Sequence, residues 1–212
     1  MMNRLTYCGH SCFRLEADNG WTAMIDPYAP GSVPGLHLPK LTADAVFCSH
    51  EHGDHNAADE VVLRTSGPEN PYTVETILTD HDDQGGALRG KNRVLILKSG
   101  EEAVIHLGDL GCIPEADVLS RLKQADILMI PCGGYYTIDA EQAEQLIHIL
   151  EPKLAVLMHY RRGRQGYDVL ASADDVCRRI PAARMIGTSS VSPHRESGVI
   201  LLDPIPEAMT DQ

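Results

Sequence analysis

Residues 49–56 of this 212-residue chain, SHEHGDHN, crowd three histidines, a glutamate and an aspartate into one short segment. Neutral imidazole and carboxylate are the usual protein ligands of Zn²⁺ and of similar borderline cations. Four such groups come from His50, His52, Asp54 and His55. Their types and close spacing predict a metal-binding segment rather than a solvated polar loop.

The spacing within this segment suits two metal ions. Residues two apart in an extended segment share a face, so His50 and His52 can hold one ion. A turn at Gly53 would then aim Asp54 and His55 toward a second ion. The helical metalloprotease motif H-E-x-x-H does not fit, because residue 54 is aspartate and Gly53 weakens a helix.

Short apolar or alternating stretches recur along the chain and predict strands, because most are bounded by Gly, Pro, Asn or Asp. They are residues 4–8, 12–17, 22–26, 45–49, 73–78, 93–98, 103–108, 126–131, 154–160, 183–187 and 198–203. Helices are predicted at 114–125, 139–150 and 172–180. Capping-box spacing marks the start of the second helix at Asp139 and of the third at Ser172.

The order of these elements predicts two packed sheets covered by helices, a layered α/β fold in a single domain of residues 1–212. Polar residues or glycines follow several apolar strands, at His50, Asp109, residues 132–134 and His159. In open α/β sheets, ligands collect beyond the carboxyl ends of the strands. We therefore expect these separate segments to converge on one cleft.

Composition narrows the classes of partner. The formal net charge is −12, so a basic surface for nucleic acid or for an anionic membrane is not expected, and a small-molecule partner is predicted. The chain start lacks the apolar core of a signal peptide, and no apolar run is long enough to span a bilayer. A cytoplasmic protein is therefore expected. Apolar loop residues 31–39 could cover the cleft of a neighbouring copy in an oligomer, or the chain's own cleft.

The pattern H-x-H-x-D-H at residues 50–55 resembles the signature of the metallo-β-lactamase superfamily. The segments TYCGHSCFRLE, HLGDLG and LAVLMHY resemble further segments of that family, and the likeness spans about residues 3–203. The pattern is most similar to compact Zn-dependent hydrolases related to ascorbate-6-phosphate lactonase. This resemblance implies a four-layer αββα sandwich.

The resemblance also implies two divalent metal ions, of zinc or else of manganese or iron. The implied ligands are His50, His52 and His81 for metal 1, Asp54, His55 and His159 for metal 2, and Asp109 bridging both. His106 is an alternative to His81, but it lies inside a predicted strand, where a core residue is expected. Asp26, Asp82 or Asp83 could accept the second N–H group of a ligating histidine.

Two ions that share a water can lower its pKa toward about 7 and polarise a carbonyl or phosphoryl oxygen. The predicted function is therefore hydrolysis of a small ester, lactone or phosphodiester by a metal-bridging hydroxide, with Asp54 orienting the nucleophile or accepting its proton. Two alternatives stay open. One is a non-catalytic metal-binding or sensing module. The other is a di-iron oxidoreductase of the same fold, which usually has Glu where this chain has His52.

Five residues outside the ligand set could contact a substrate. His10 could protonate the leaving group, and Asn92 could stabilise an oxyanion. Tyr135 and Tyr136 follow a predicted strand and could line the cleft, while Arg161 could hold a phosphate or carboxylate of an anionic substrate. Each has a structural alternative: a histidine with a structural hydrogen bond, a turn, a helix entry or a solvated basic loop.

Overall fold

The computed structural model describes residues 1–123 and 125–206. Its strands are β1 Met2–Gly9, β2 Cys12–Ala17, β3 Thr22–Ile25, β4 Leu41–Ala43, β5 Ala45–Phe47, β6 Val61–Leu63, β7 Thr73–Asp80, β8 Lys91–Ser99, β9 Glu102–His106, β10 Ile127–Pro131, β11 Leu154–Met158, β12 Ala183–Met185, β13 Ser190–Val191 and β14 Gly198–Leu201. Its α-helices are α1 Ala116–Leu122, α2 Ala140–Leu150 and α3 Ala173–Arg179, and its 3₁₀ helices are Ala58–Glu60 and Pro193–Arg195.

The strands form two large sheets and one small one. The five-stranded sheet has the order β13-β1-β2-β3-β5, and the seven-stranded sheet has the order β12-β14-β11-β10-β9-β8-β7. In the larger sheet, the strands from β9 to β12 along this order are parallel to one another. Every residue of β10 and β11 is buried, which explains their unbroken apolar sequences, because both faces of a parallel sheet are covered.

A continuous apolar core lies between the two large sheets. It joins Leu5 and Phe13 of the smaller sheet to Leu97, Met129 and Val156 of the larger one. On the outer face of the larger sheet, α2 packs on β10 and contacts both α1 and α3. Among the described residues, no helix is long and apolar enough to cross a membrane.

The outer face of the smaller sheet has a different cover. Cys12 and Met24 pack there in a second apolar cluster with Tyr28, Val33 and Leu36 of the loop that follows β3. The two-stranded β4–β6 sheet contributes to the same cluster. The implied four-layer arrangement is confirmed, and among the described residues this outer layer is built from a loop and a small sheet rather than from α-helices.

Every predicted strand and helix corresponds to an element of the structure. Both capping boxes form, with Asp139 accepting from the Gln142 amide and Ser172 from the Asp175 amide. The first helix was predicted to reach residue 125, but α1 ends at Leu122, and Gln124 lies outside the described residues. Residues 207–212 of the predicted domain also lie outside them.

Candidate metal centre

Four chain segments that follow different strands meet at one carboxylate. Oδ2 of Asp109, in the loop after β9, lies 3.3 Å from Nε2 of His55, 3.4 Å from Nε2 of His81 and 3.2 Å from Nε2 of His159. His55 lies in the loop after β5, while His81 and His159 directly follow β7 and β11. The strand ends therefore converge on one cleft, as the sequence predicts.

A second group of histidines adjoins this carboxylate. The candidate ligand atoms of His50, His52 and His81 all lie within 4.8 Å of one another, and the same holds for those of His50, His55 and Asp109. Asp54 completes the arrangement, with Oδ2 3.8 Å from Nε2 of His55. We call these seven side chains the candidate centre: His50, His52, Asp54, His55, His81, Asp109 and His159.

Hydrogen bonds on the far sides of two rings determine which nitrogens face the centre. The Ser49 hydroxyl donates its only proton to Oδ2 of Asp26 at 2.6 Å. It must therefore accept from Nδ1 of His50, 2.9 Å away. Asp26 likewise accepts from Nδ1 of His55 at 2.9 Å. Asp26 thus has the supporting position that the sequence suggests, and Nε2 of each ring faces the centre.

These atoms provide a test of whether a metal would fit. Nε2 of His50, Nε2 of His55 and Oδ1 of Asp109 are buried, and none has a hydrogen-bond partner among the described residues. Buried polar atoms are normally paired, so this cluster of unpaired atoms needs a ligand. Imidazole nitrogens and a carboxylate oxygen form a donor set that suits a borderline divalent cation. The residues therefore fit a metal.

The electrostatics of the centre favour bound positive charge. Burial lowers the pKa of His50 to about 3, which keeps that imidazole neutral. Burial also opposes charge on His55, but the carboxylates of Asp109 and Asp26 outweigh it and raise the pKa of His55 well above its usual value. Burial likewise opposes ionisation of Asp109, yet His159 and His55 hold its pKa well below the usual range. An ionised, buried carboxylate therefore attracts cations to these nitrogens.

Left-handed backbone conformations occur at residues that shape the centre. His10, Asp26 and His159 have φ values of 58°, 48° and 55°, in a region that non-glycine residues rarely adopt. The His159 amide donates to the His10 carbonyl at 2.8 Å, so two of these residues stabilise each other. Such strained conformations persist where the surrounding structure imposes them, commonly at functional sites.

Two glycines permit close packing around the candidate ligands. A Cβ atom on Gly111 would collide with the backbone of His81 and Asp82. A Cβ atom on Gly133 would collide with the carbonyl oxygen of His159. The close approach of backbone therefore explains these glycines without any contact to substrate.

A pocket of about 260 Å³ opens onto the centre. Its walls include five members of the centre and three other side chains, Arg89, Tyr136 and Tyr167. The Tyr136 ring lies 5.7 Å from the Tyr167 ring and 6.5 Å from the His159 ring, measured between centroids. Sequence reasoning did not single out Arg89 or Tyr167, because each lies in an irregular loop whose course has no local sequence signal.

His10 does not line this pocket, contrary to its predicted role as the leaving-group acid. Its ring is buried, and Nε2 donates to Oδ2 of Asp54 at 3.2 Å. Burial lowers the pKa of His10 to about 4, so the imidazole carries no proton to give beyond the one already directed at Asp54. The geometry favours a positioning role behind Asp54.

Asn92 also differs from its predicted role as an oxyanion-binding residue. It is buried, and its Oδ1 accepts from the Asp109 amide at 3.0 Å. Its Nδ2 donates to Thr79 Oγ1 at 2.9 Å and to the Leu107 carbonyl at 2.8 Å. With these hydrogen bonds made, the side chain positions Asp109 and does not reach the pocket.

Of the three remaining predicted substrate contacts, one lines the pocket and two do not. Tyr136 lines the pocket, whereas Tyr135 is 64% exposed and does not. Arg161 does not line it either, because its guanidinium donates to the Gly163 carbonyl at 3.0 Å. His106 is buried away from the pocket, with Nε2 donating to the Ser11 carbonyl at 2.9 Å.

Comparisons with known proteins identify the family and the fold. A family profile described as the beta-lactamase superfamily domain matches residues 4–159. A UPF0173 metal-dependent hydrolase of Thermoplasma volcanium is 26% identical over 93% of this chain and 99% of its own length. The crystal structure of a candidate Zn-dependent hydrolase of the metallo-β-lactamase superfamily from Thermotoga maritima is 27% identical. It covers 95% of this chain and 98% of its own, with a TM-score of 0.71. A metallo hydrolase from Ignicoccus hospitalis, 21% identical with a TM-score of 0.62 over 85% of this chain and 91% of its own, shares the fold.

Proposed function

Because this chain belongs to the metallo-β-lactamase superfamily and is one of its metal-dependent hydrolases, we propose that it cleaves a small ester, lactone or phosphodiester at a two-metal centre. One ion would be held by His50, His52 and His81, the other by Asp54, His55 and His159, and both by Asp109. Imidazole and carboxylate ligands accept zinc, manganese and iron alike, so the proposal holds for each of these metals.

The contact of one Asp109 oxygen with three imidazole nitrogens carries the proposal. Oδ2 lies within 3.4 Å of Nε2 of His55, His81 and His159, while Oδ1 has no partner among the described residues. A zinc ion typically takes about four ligands. Seven converging donor side chains exceed that number, which supports two ions and a shared carboxylate between them.

Asp54 is the residue best placed to handle a proton. Its Oδ2 accepts from Nε2 of His10 at 3.2 Å. The Tyr167 hydroxyl lies 3.2 Å from the same oxygen and shares its one proton between this oxygen and the Ser32 carbonyl, 2.7 Å away. Among the described residues, no group donates to its Oδ1, and Asp54 lines the pocket. Oδ1 is therefore the atom we assign to orient an attacking water and accept its proton. The two ions, when bound, would lower the pKa of that water and polarise the substrate oxygen.

The size of the pocket supports a small substrate. Its volume of about 260 Å³ is near the lower end of ligand pockets in general, which span roughly 300 to 1,000 Å³. Tyr136 and Tyr167 supply aromatic walls, and the centre supplies the polar floor. Such a site suits a compact ester, lactone or phosphodiester better than a polymer.

The test combines metal analysis with turnover. Purified protein loaded with zinc or manganese should hold about two equivalents and hydrolyse members of an ester, lactone and phosphodiester panel. Chelation should abolish the activity. Asp109→Asn and His52→Ala should each lower kcat/KM by about a hundredfold or more, because each removes a metal ligand.

Matched controls keep this test specific. Asp117→Asn and His148→Ala make the same chemical changes at exposed positions on α1 and α2, and we expect them to retain metal and activity. Hydrolysis that continues in metal-free protein would contradict the proposal. Two bound equivalents with no turnover of any substrate at any pH would instead favour a binding or sensing module.

A further inference from the structure

Arg89 is the one arginine or lysine among the residues that line the pocket. Other arginines pair with carboxylates, as Arg64 does with Asp44 and Arg162 with Asp203. Among the described residues, no carboxylate lies within ion-pair distance of the Arg89 guanidinium, which lies over an aromatic ring. An uncompensated cation thus borders a pocket whose other charged groups belong to the centre.

The aromatic contact fixes where this cation lies. The Arg89 guanidinium carbon is 5.6 Å from the centroid of the Tyr136 ring, within the range of a cation–π interaction. Tyr136 in turn contacts the rings of Tyr167 and His159. Arg89 therefore borders the pocket at the Tyr136 wall, where it can meet a part of the substrate other than the bond that is cleaved.

The loop that carries Arg89 is held in shape by Asp82. Oδ1 of Asp82 accepts from the amides of Gln84 and Gly86, both at 2.8 Å. Oδ2 accepts from the amide of Leu88 at 2.9 Å and from that of Arg89 at 2.8 Å. Asp82 directly follows His81, so one loop delivers both a candidate ligand and the arginine. Such a loop is preorganised, which lowers the entropic cost of binding.

We infer that Arg89 binds an anionic group of the substrate, a carboxylate or a phosphate, at a point separate from the metal centre. The inference rests on the proposed function, since it names the class of substrate that this hydrolase would select. A guanidinium can donate two parallel hydrogen bonds to either anion, and Tyr136 limits the directions it can adopt. A neutral substrate leaves this cation without a partner, so the pocket discriminates against it.

The experiment uses two chromogenic esters of similar length that differ by one charge, mono-p-nitrophenyl succinate and p-nitrophenyl butyrate. The metal-loaded full chain should prefer the succinate ester. In Arg89→Met the ratio of kcat/KM values, succinate to butyrate, should fall about tenfold or more, mainly through KM. The ratio in Arg89→Lys should lie between those of wild type and Arg89→Met, because lysine keeps the charge but lacks the planar guanidinium.

Arg93→Met is the matched control, since Arg93 is exposed on β8, four residues away and outside the pocket lining. It should keep the wild-type ratio. A second readout does not need turnover: calorimetric titration of the same metal-loaded proteins with succinate and with inorganic phosphate. Arg89→Met should raise the Kd of the preferred anion about tenfold. The anion whose affinity falls more identifies carboxylate or phosphate as the group that Arg89 binds.

The outcomes separate this inference from the proposed function. Hydrolysis with the same ester ratio and the same anion affinities in Arg89→Met as in wild type would overturn the inference and leave the hydrolase intact. Absence of hydrolysis in every variant, with anion binding still lost in Arg89→Met, would reject the hydrolase and retain the anion site.

Discussion

Asp54 is held by one full and one shared hydrogen bond, both from groups that carry no net charge. Nε2 of His10 donates to its Oδ2, while the Tyr167 hydroxyl shares its one proton between that oxygen and the closer Ser32 carbonyl, 2.7 Å away. Burial opposes ionisation of this carboxyl, but the hydrogen bond from His10 and the nearby His55 lower the pKa of Asp54 below its usual value. Asp54 is therefore an ionised group with a fixed orientation, as a metal ligand or proton acceptor must be.

Replacing Tyr167 with phenylalanine should test this arrangement. The variant loses the hydroxyl that links the ionised Asp54 to the Ser32 carbonyl, so we expect kcat to fall about three- to tenfold while metal content stays at the wild-type level. Steady-state kinetics and metal analysis provide the measurement. Tyr72→Phe also removes a phenolic hydroxyl, but this one has no hydrogen-bond partner among the described residues. This control should leave kcat unchanged. An unchanged kcat in Tyr167→Phe would assign the orientation of Asp54 to His10 alone.

The loops after β7 and β9 are packed together as one unit. The Gly111 amide donates to the Asp80 carbonyl at 2.9 Å, and Gly111 leaves no space for a Cβ atom against His81 and Asp82. Asn92 joins the same unit from β8 through its bond to the Asp109 amide. The position of His81 therefore depends on the loop that carries Asp109.

Gly111→Ala should separate this packing from ordinary backbone strain. The added methyl group would push the His81–Asp82 peptide away, so we expect the protein to lose metal. The value of kcat/KM should fall at least about tenfold. The free energy of unfolding should fall by about 1 to 3 kcal/mol. Gly187→Ala is the control, because Gly187 has a φ of 66° but open space around it. The free energy of unfolding of this control should fall by about 1 kcal/mol, and its metal content should stay unchanged. Equal metal content in the two variants would argue against the interlocked loops.

The length of an element and the presence of a local signal decide whether its position can be predicted from sequence. Long apolar strands and the caps at Asp139 and Ser172 are local signals, and both were predicted correctly. Strands β4, β6 and β13 were missed because each has only two or three residues and depends on distant partners. The His50–His55 segment is likewise local, whereas the placements of His10, Asn92 and Arg89 follow from contacts between distant segments that no single segment encodes.

At the scale of the molecule, the candidate centre lies where the two large sheets meet. The segment with His50, His52, Asp54 and His55 follows β5 of the smaller sheet. Asp109 and His159 follow β9 and β11 of the larger one. Ions bound between these segments would connect the sheets at one edge, in addition to the apolar core between them. Without ions, the ionised Asp109 and its histidines would keep buried atoms unpaired.

Metal removal should therefore destabilise the whole chain and not only the loops. A ligand at about a hundred times its Kd stabilises the native state by about 2.7 kcal/mol, which for a chain of this size raises Tm by about 5 to 10 °C. We expect that difference between zinc-loaded and chelated protein in thermal unfolding followed by circular dichroism. His52→Ala should show a smaller shift, because His52 is exposed and its loss weakens one ion without disturbing the core. His148→Ala should show the full shift. An identical Tm with and without metal would mean that the centre does not connect the sheets.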